Sequence, residues 1–211
     1  MRFGWGSFFA IAALSAALAG CASFKVWSYE GGDRTSWQKP TAVIASLQLD
    51  KGDAVADIGA GGGYFTFRFA DEVGPTGKVY AVEVDDGMIV YLKEQLAAQG
   101  RKNVEVVRGR YDDPLLPLGG IDLAFTSNTY HHIDAPTEYF RRLRKYLKPG
   151  GRVAILDLND QMWFPYLFGH YTPAAEIERE MTEAGYLREL KFDFVDRQSF
   201  QIFVVRQGTG E

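Results

Sequence analysis

Two acids and a run of glycines carry the densest chemistry in this sequence. Asp57-Ile58-Gly59-Ala60-Gly61-Gly62-Gly63 follows the apolar stretch Ala54 to Ile58, and Glu83 closes a second apolar stretch 24 residues beyond Gly59. Glycines in such a turn let the backbone approach a ligand that a Cβ would hold off. In an open α/β sheet a turn of this kind lies at the carboxyl end of a strand, where ligands bind. An acid two residues before the first glycine attracts a cation and repels a pyrophosphate. The dinucleotide fingerprint G-x-G-x-x-G needs a small residue where this chain has Tyr64, which disfavours hydride transfer. Glu83 stands where an acid can hold both hydroxyls of a ribose. A merely structural tight turn is the bland alternative, but it has no need of the two acids.

The elements that must position these residues alternate between strand and helix. Trp37, Val43, Ile44 and Leu47 fit a short amphipathic helix despite Pro40. Ala54 to Ile58 is a first strand, and Phe65, Phe69 and Val73 follow it at helical spacing. Lys78 to Val84 is a second strand. Asp85 and Asp86 open a helix with Met88, Leu92 and Leu96 on one face, stopped at Gly100. Val104 to Val107 and Ile121 to Thr126 are further strands. Phe140, Leu143 and Leu147 sit at i, i+3, i+7 of a helix ended by Lys148-Pro149-Gly150-Gly151, before a fifth strand from Arg152 to Leu156. Continuous apolar strands interleaved with helices imply a doubly wound parallel sheet covered on both faces. The tail differs: Thr172 caps a helix with Pro173 at its first position, carrying Ile177, Met181 and Ala184. Leu190, Phe192 and Phe194, then Phe200, Ile202 and Val204, alternate as an antiparallel hairpin around Asp196-Arg197.

The first twenty residues are of another kind. Arg2 precedes an uncharged apolar run from Ser7 to Ala19, shorter than the roughly 20 residues that span a bilayer and shaped like a secretory signal. Leu18-Ala19-Gly20-Cys21 resembles a bacterial lipobox, which implies cleavage before Cys21 and lipidation of its thiol. Ala22, rather than Asp, then implies no inner-membrane retention, so the expectation is a lipid anchor on the periplasmic face of the outer membrane. The alternative is a simple anchor helix, with the domain at the inner membrane facing the cytoplasm. The division expected is signal peptide at 1–20, tether at 21–36 and one domain at 37–211.

Composition excludes several classes. With 27 acids against 23 bases the chain carries −4, and loss of Arg2 with the signal makes it −5. No basic stripe marks a nucleic-acid binder. Cys21 is the only cysteine, which removes disulfide frameworks, Cys-pair zinc sites and mechanisms needing several thiols, arsenic methylation among them. Three histidines leave little material for a metal centre, and none is expected.

From Trp37 to Arg206 the chain resembles the class I S-adenosylmethionine (SAM)-dependent methyltransferases. The resemblance is carried by Val55 to Phe65, Val79 to Met88, Arg108 to Pro117, Ile121 to Ile133 and Leu147 to Val153. It implies a Rossmann-like, seven-stranded sheet, mostly parallel, with the last strand inserted antiparallel between the fifth and sixth. It implies SAM as cofactor, with Asp57 at the methionine ammonium and Gly59, Gly61 and Gly63 beneath it. Glu83 would hold the ribose, Val84 and Met88 the adenine faces, and Asp112 the adenine amino group. Met88 as helix core and Asp112 as a turn cap are the bland readings. Relatives commonly have an acid directly after Gly109, where this chain has Arg110.

Asn128, Tyr130 and His131, just past the fourth strand, would lie by the cofactor, beside the transferable methyl. His131 is the preferred base, because imidazole titrates near neutrality, with Tyr130 second; both histidines merely orienting a loop is the alternative. His132 is expected to start a helix or pack beneath it. Tyr166, Phe168, His170 and Tyr171, in an insertion from Trp163 to Thr172, form either an aromatic lid or a hydrophobic flap. Arg34, Trp37 and Gln38 are candidates to fold over the cofactor. The functional expectation is SAM-dependent methyl transfer to a small-molecule acceptor by an enzyme anchored to the cell envelope; the alternative is an exported SAM-fold binding module without turnover.

Overall fold

A computed structural model describes residues 34–160 and 171–207. Cys21, the lipobox and residues 163–170 of the aromatic insertion lie outside the described residues. Seven strands form one sheet: β1 (Ala54–Ile58), β2 (Lys78–Glu83), β3 (Val104–Arg108), β4 (Ile121–Ser127), β5 (Leu147–Leu158), β6 (Tyr186–Phe192) and β7 (Gln198–Val205). Their order is β3-β2-β1-β4-β5-β7-β6, so the chain starts at the middle, winds outward to β3 and returns to wind the other way. The five strands from β3 to β5 pair in parallel. β7 lies antiparallel between β5 and β6, as the alternating tail requires. The order reverses at β1 and β4, and a crevice opens there at the carboxyl ends of the strands.

The helices are α1 (Arg34–Gln38), α2 (Pro40–Leu47), α3 (Thr66–Val73), α4 (Asp86–Gln99), α5 (Pro136–Leu143) and α6 (Ala174–Glu183). One face of the sheet packs on α2, α3 and α4 through Val43, Leu47, Phe69, Val73 and Leu92. The other packs on α5 and α6 through Phe140, Leu143, Ile177 and Met181. The two-sided burial explains why β1 reads as an unbroken apolar run. β6, at the sheet edge, is mostly exposed and carries Arg188, Glu189 and Lys191, charges that discourage edge pairing.

Three local expectations are corrected. The single helix expected over 37–47 is two, broken at Lys39, which adopts a left-handed φ of 50°. The residue before a proline is driven from the helical region, and Pro40 then opens α2. Leu147 belongs to β5, not to the preceding helix, which ends at Leu143 and passes through a 3-10 turn, Arg144–Tyr146. Leu147 still joins the core of Phe140 and Leu143, so strand and helix mimic one helical face. α6 starts one residue later than expected, with Pro173 in the cap position and no side-chain cap from Thr172.

Candidate active site

The loops at the carboxyl ends of β1, β2 and β4 enclose a cavity of about 630 Å³. Its floor is the glycine turn. Gly59 and Gly61 have φ of 75° and 54°, and a Cβ on Gly59 would run into the Thr129 side chain from the loop after β4. Gly62 also lines the cavity. Gly63 does not; at φ 90° it is a packing glycine, where a Cβ would come within 2.6 Å of the Phe67 ring and 3.0 Å of Leu92. The expected role for Gly63 beneath the ligand is therefore replaced by close packing of the turn on α3 and α4.

Asp57, next to last in β1, is only 3% exposed, and its Oδ2 accepts a hydrogen bond from the Thr66 hydroxyl at 2.6 Å. Burial pushes its carboxyl up to about 6, against the lowering effects of Thr66 and the Arg34 guanidinium. A buried carboxylate at a cavity wall is a group that an incoming ammonium completes. Glu83, at the end of β2, accepts from the backbone N–H groups of Gly61 (2.9 Å), Val84 (2.7 Å) and Asp85 (3.0 Å). It ties the glycine turn to the start of α4 and lines the cavity beside Val84. Asp85 caps α4, its Oδ1 accepting from the Met88 N–H at 3.1 Å.

Met88 and Asp112 fall outside the cavity lining. Met88 is 2% exposed among the core residues of α4. Asp112 is on the surface in an ion pair with Arg142, which reaches it from α5. The neighbouring Arg110 and Tyr111 line the cavity instead, and the Tyr111 ring is 79% exposed at its edge. An exposed ring where the resemblance expects adenine offers a stacking face. Tyr111→Ala is therefore expected to weaken S-adenosylhomocysteine binding by about 1–3 kcal/mol, the range for a base on an aromatic side chain. Asp112→Ala, which breaks only an exposed pair, should leave that affinity within about twofold; calorimetry on both variants checks the assignment.

Beyond β4, Asn128 takes a left-handed φ of 54° and lines the cavity, its Oδ1 accepting from Gln198 Nε2 at 2.6 Å. Tyr130, His131 and His132 form a 3-10 turn. The expected pairing of Tyr130 with His131 at the reacting end is corrected by this turn. Tyr130 is 1% exposed, stacks on Phe140 and donates its hydroxyl to Glu180 of α6 at 2.7 Å, away from the cavity. Burial and Glu180 raise its hydroxyl far above the usual phenol range, so it is no base at neutral pH. His131 lines the cavity, and its Nδ1 lies 3.0 and 3.1 Å from the two carboxylate oxygens of buried Asp157. His132 is exposed and lines the cavity too, rather than packing beneath a helix. Asp157 went unrecognised in the sequence, where it is one more residue at the end of an apolar strand.

α1 covers one side of the mouth. Arg34 lines the cavity, its Cζ 4.3 Å from the Tyr64 ring centroid, and Thr35 Oγ1 is 3.1 Å from the Tyr64 hydroxyl. Gln38, fully buried, donates to Ser127 Oγ at 2.9 Å. Residues 34–36, expected in a tether, thus begin a helix packed on the site. Trp37 lies apart, half-buried beneath the Arg197 guanidinium. Among the described residues no cluster of His, Cys, Asp or Glu is arranged to hold a metal ion.

Strand order, glycine turn and paired acids together define a class I SAM-dependent methyltransferase domain. A sequence model of the methyltransferase domain family matches residues 49–200, and the chain belongs to that family. It is 28% identical over 130 residues to the ubiquinone/menaquinone biosynthesis C-methyltransferase UbiE of Ectopseudomonas mendocina, covering 61% of this chain and 50% of that one. It is 31% identical over 121 residues to an arsenite methyltransferase of Halobacterium salinarum, covering 57% of this chain and 31% of the relative. The chain thus spans about half or less of the length of these curated relatives. The crystal structure of a SAM-dependent methyltransferase from Aquifex aeolicus superposes with a TM-score of 0.78 at 25% identity, over 85% of this chain and 97% of that one.

The residues present fit SAM. Asp57 offers a buried carboxyl of the kind an ammonium needs, Glu83 an acid on the cavity wall with the chemistry to accept from hydroxyls, and Gly59 a floor with no room for a Cβ.

Proposed function

We propose that the protein transfers a methyl group from SAM to a small-molecule acceptor, with His131 as base, from a lipid anchor in the cell envelope. SAM supplies the methyl as an electrophile on a sulfonium. Asp57 holds the ammonium, Glu83 the ribose, and Tyr111 and Val84 flank the base. His131 faces the same cavity and takes the acceptor's proton. The observation that carries this reading is the sharing of one cavity by Asp57, Glu83 and His131.

A small acceptor is supported by the cavity itself, whose 630 Å³ must also take the cofactor. The quinone relatives act on small molecules by name. The arsenite relative is a weaker guide, because Cys21 is the only thiol in the sequence. Anchoring rests on Leu18-Ala19-Gly20-Cys21 alone. Cys21→Ser is expected to abolish metabolic labelling with a fatty acid; labelling that persists would put attachment elsewhere.

The deciding assay is transfer of labelled methyl from SAM into a cell-envelope extract. Wild type should label a small molecule, and His131→Ala should slow this about 10²–10⁴-fold while S-adenosylhomocysteine binding is kept. Binding without any transfer would favour an exported SAM-binding module.

A further inference from the structure

We propose that Asp157 is a positioning residue that fixes the proton of His131 on Nδ1 and thereby dedicates the site to acceptors whose nucleophile must lose a proton. The inference rests on the methyl-transfer reading above and adds the class of acceptor: an alcohol, a phenol or an enol-type carbon acid.

Asp157 lies next to last in β5, fully buried, in a strand whose preceding residues Val153 to Leu156 are all apolar. Packing at that position calls for an aliphatic side chain, and a carboxyl there is costly unless it is paired. Its neighbours across β7 are polar as well: Ser199 is its register partner, and Gln201 is next on the same face. Both are buried. Asp157 does not line the cavity, whereas His131 does. Its carboxyl can therefore act on an acceptor only through the imidazole.

The geometry fixes how. A neutral imidazole has one N–H and one bare nitrogen, and a carboxylate only accepts. With both carboxylate oxygens within 3.1 Å of Nδ1, the proton resides on Nδ1, and Nε2, across the ring, is the nitrogen that carries none. Nε2 takes the proton of an acceptor O–H; that bond breaks, and its electron pair stays on the acceptor to form the new bond to the methyl carbon as the methyl–sulfur bond breaks, its pair leaving on sulfur in the neutral thioether S-adenosylhomocysteine. The imidazolium so formed is stabilised by Asp157 and later returns the proton to water. An amine that arrives neutral with its lone pair free has no need of this arrangement.

The test reads the tautomer first. Long-range proton–nitrogen correlation spectra of the wild-type protein under mildly alkaline conditions should show His131, assigned by its loss in His131→Gln, with the proton on Nδ1. Asp157→Asn should shift the population toward Nε2–H, because an amide can donate to Nδ1. The same variant should slow labelled-methyl transfer into the envelope extract about 10²–10⁴-fold and leave S-adenosylhomocysteine affinity within about twofold. A wild-type His131 protonated on Nε2 would overturn the proposal. So would an Asp157→Asn protein that loses thermal stability but keeps the wild-type tautomer and rate. Failure of the wild type to bind S-adenosylhomocysteine would instead defeat the methyl-transfer reading, while the tautomer result stands.

Discussion

Replacing Asp57 with Asn is expected to weaken SAM binding about 10–100-fold and, at the same time, to make the ligand-free protein more stable at pH 7. The first effect is the loss of a charged hydrogen-bond partner for the ammonium. The second follows from the carboxyl's burial, which pushes it up to about 6 from 3.8. A folded-state value above the unfolded one means that the group's stabilising contribution is complete below about pH 4 and is lost as pH rises through about 6. At pH 7 the wild type therefore bears a buried carboxylate at a cost of about 3 kcal/mol, which Asn avoids while still accepting from Thr66. Thermal unfolding of both proteins should diverge at pH 7 and converge near pH 4. Wild-type affinity for SAM should fall as pH drops below about 6, and that of Asp57→Asn should not. A pH-independent wild-type affinity would remove Asp57 from the ammonium site.

Glu83→Ala should be the most damaging single change at the cavity. It strips the acceptor from three backbone N–H groups, those of Gly61, Val84 and Asp85, so the glycine turn and the start of α4 both lose their tie. Buried donors left unpaired cost about 1–3 kcal/mol each, and part of that returns through water, so a stability loss of about 2–4 kcal/mol is expected. SAM affinity should drop by more than about 100-fold, because the floor and the ribose contact go together. Glu83→Gln separates the two effects. Its amide oxygen keeps part of the turn, but it no longer offers two acceptors to a ribose. Calorimetry with S-adenosylhomocysteine and its 2′-deoxy analogue should show discrimination in the wild type and little in Glu83→Gln. Equal discrimination in both would place the ribose elsewhere.

Much of the fold was legible in the sequence because its information is short-range. β1, the glycine turn and Glu83 form a strand–turn–helix–strand unit whose periodicity, breakers and acids all lie within 30 residues, so local pattern alone brings Asp57, Gly59, Gly61 and Glu83 to one cavity. β7 could be paired antiparallel because a two-residue alternation before and after Asp196-Arg197 allows little else. Pattern failed where two elements share one core. Leu147 kept a helical spacing to Leu143 although it lies in β5, and the break at Lys39 was decided by the proline after it.

At the reacting end of the site, residue types were visible but their directions were not. The sequence determined that Tyr130, His131 and His132 follow β4, and it determined the acids and glycines that suit a cationic, ribose-bearing ligand. Only the tertiary structure decided that His131 and His132 face the cavity and Tyr130 does not. α6 captures the Tyr130 hydroxyl through Glu180, and β5 brings Asp157 to His131 from 26 residues away. Likewise Arg142 of α5 draws Asp112 to the surface and leaves Tyr111 at the cavity. The physical reason is common to these cases. A strand's facing is set by its own two-residue period, whereas a side chain on a turn goes where distant elements supply its hydrogen bond or its packing partner.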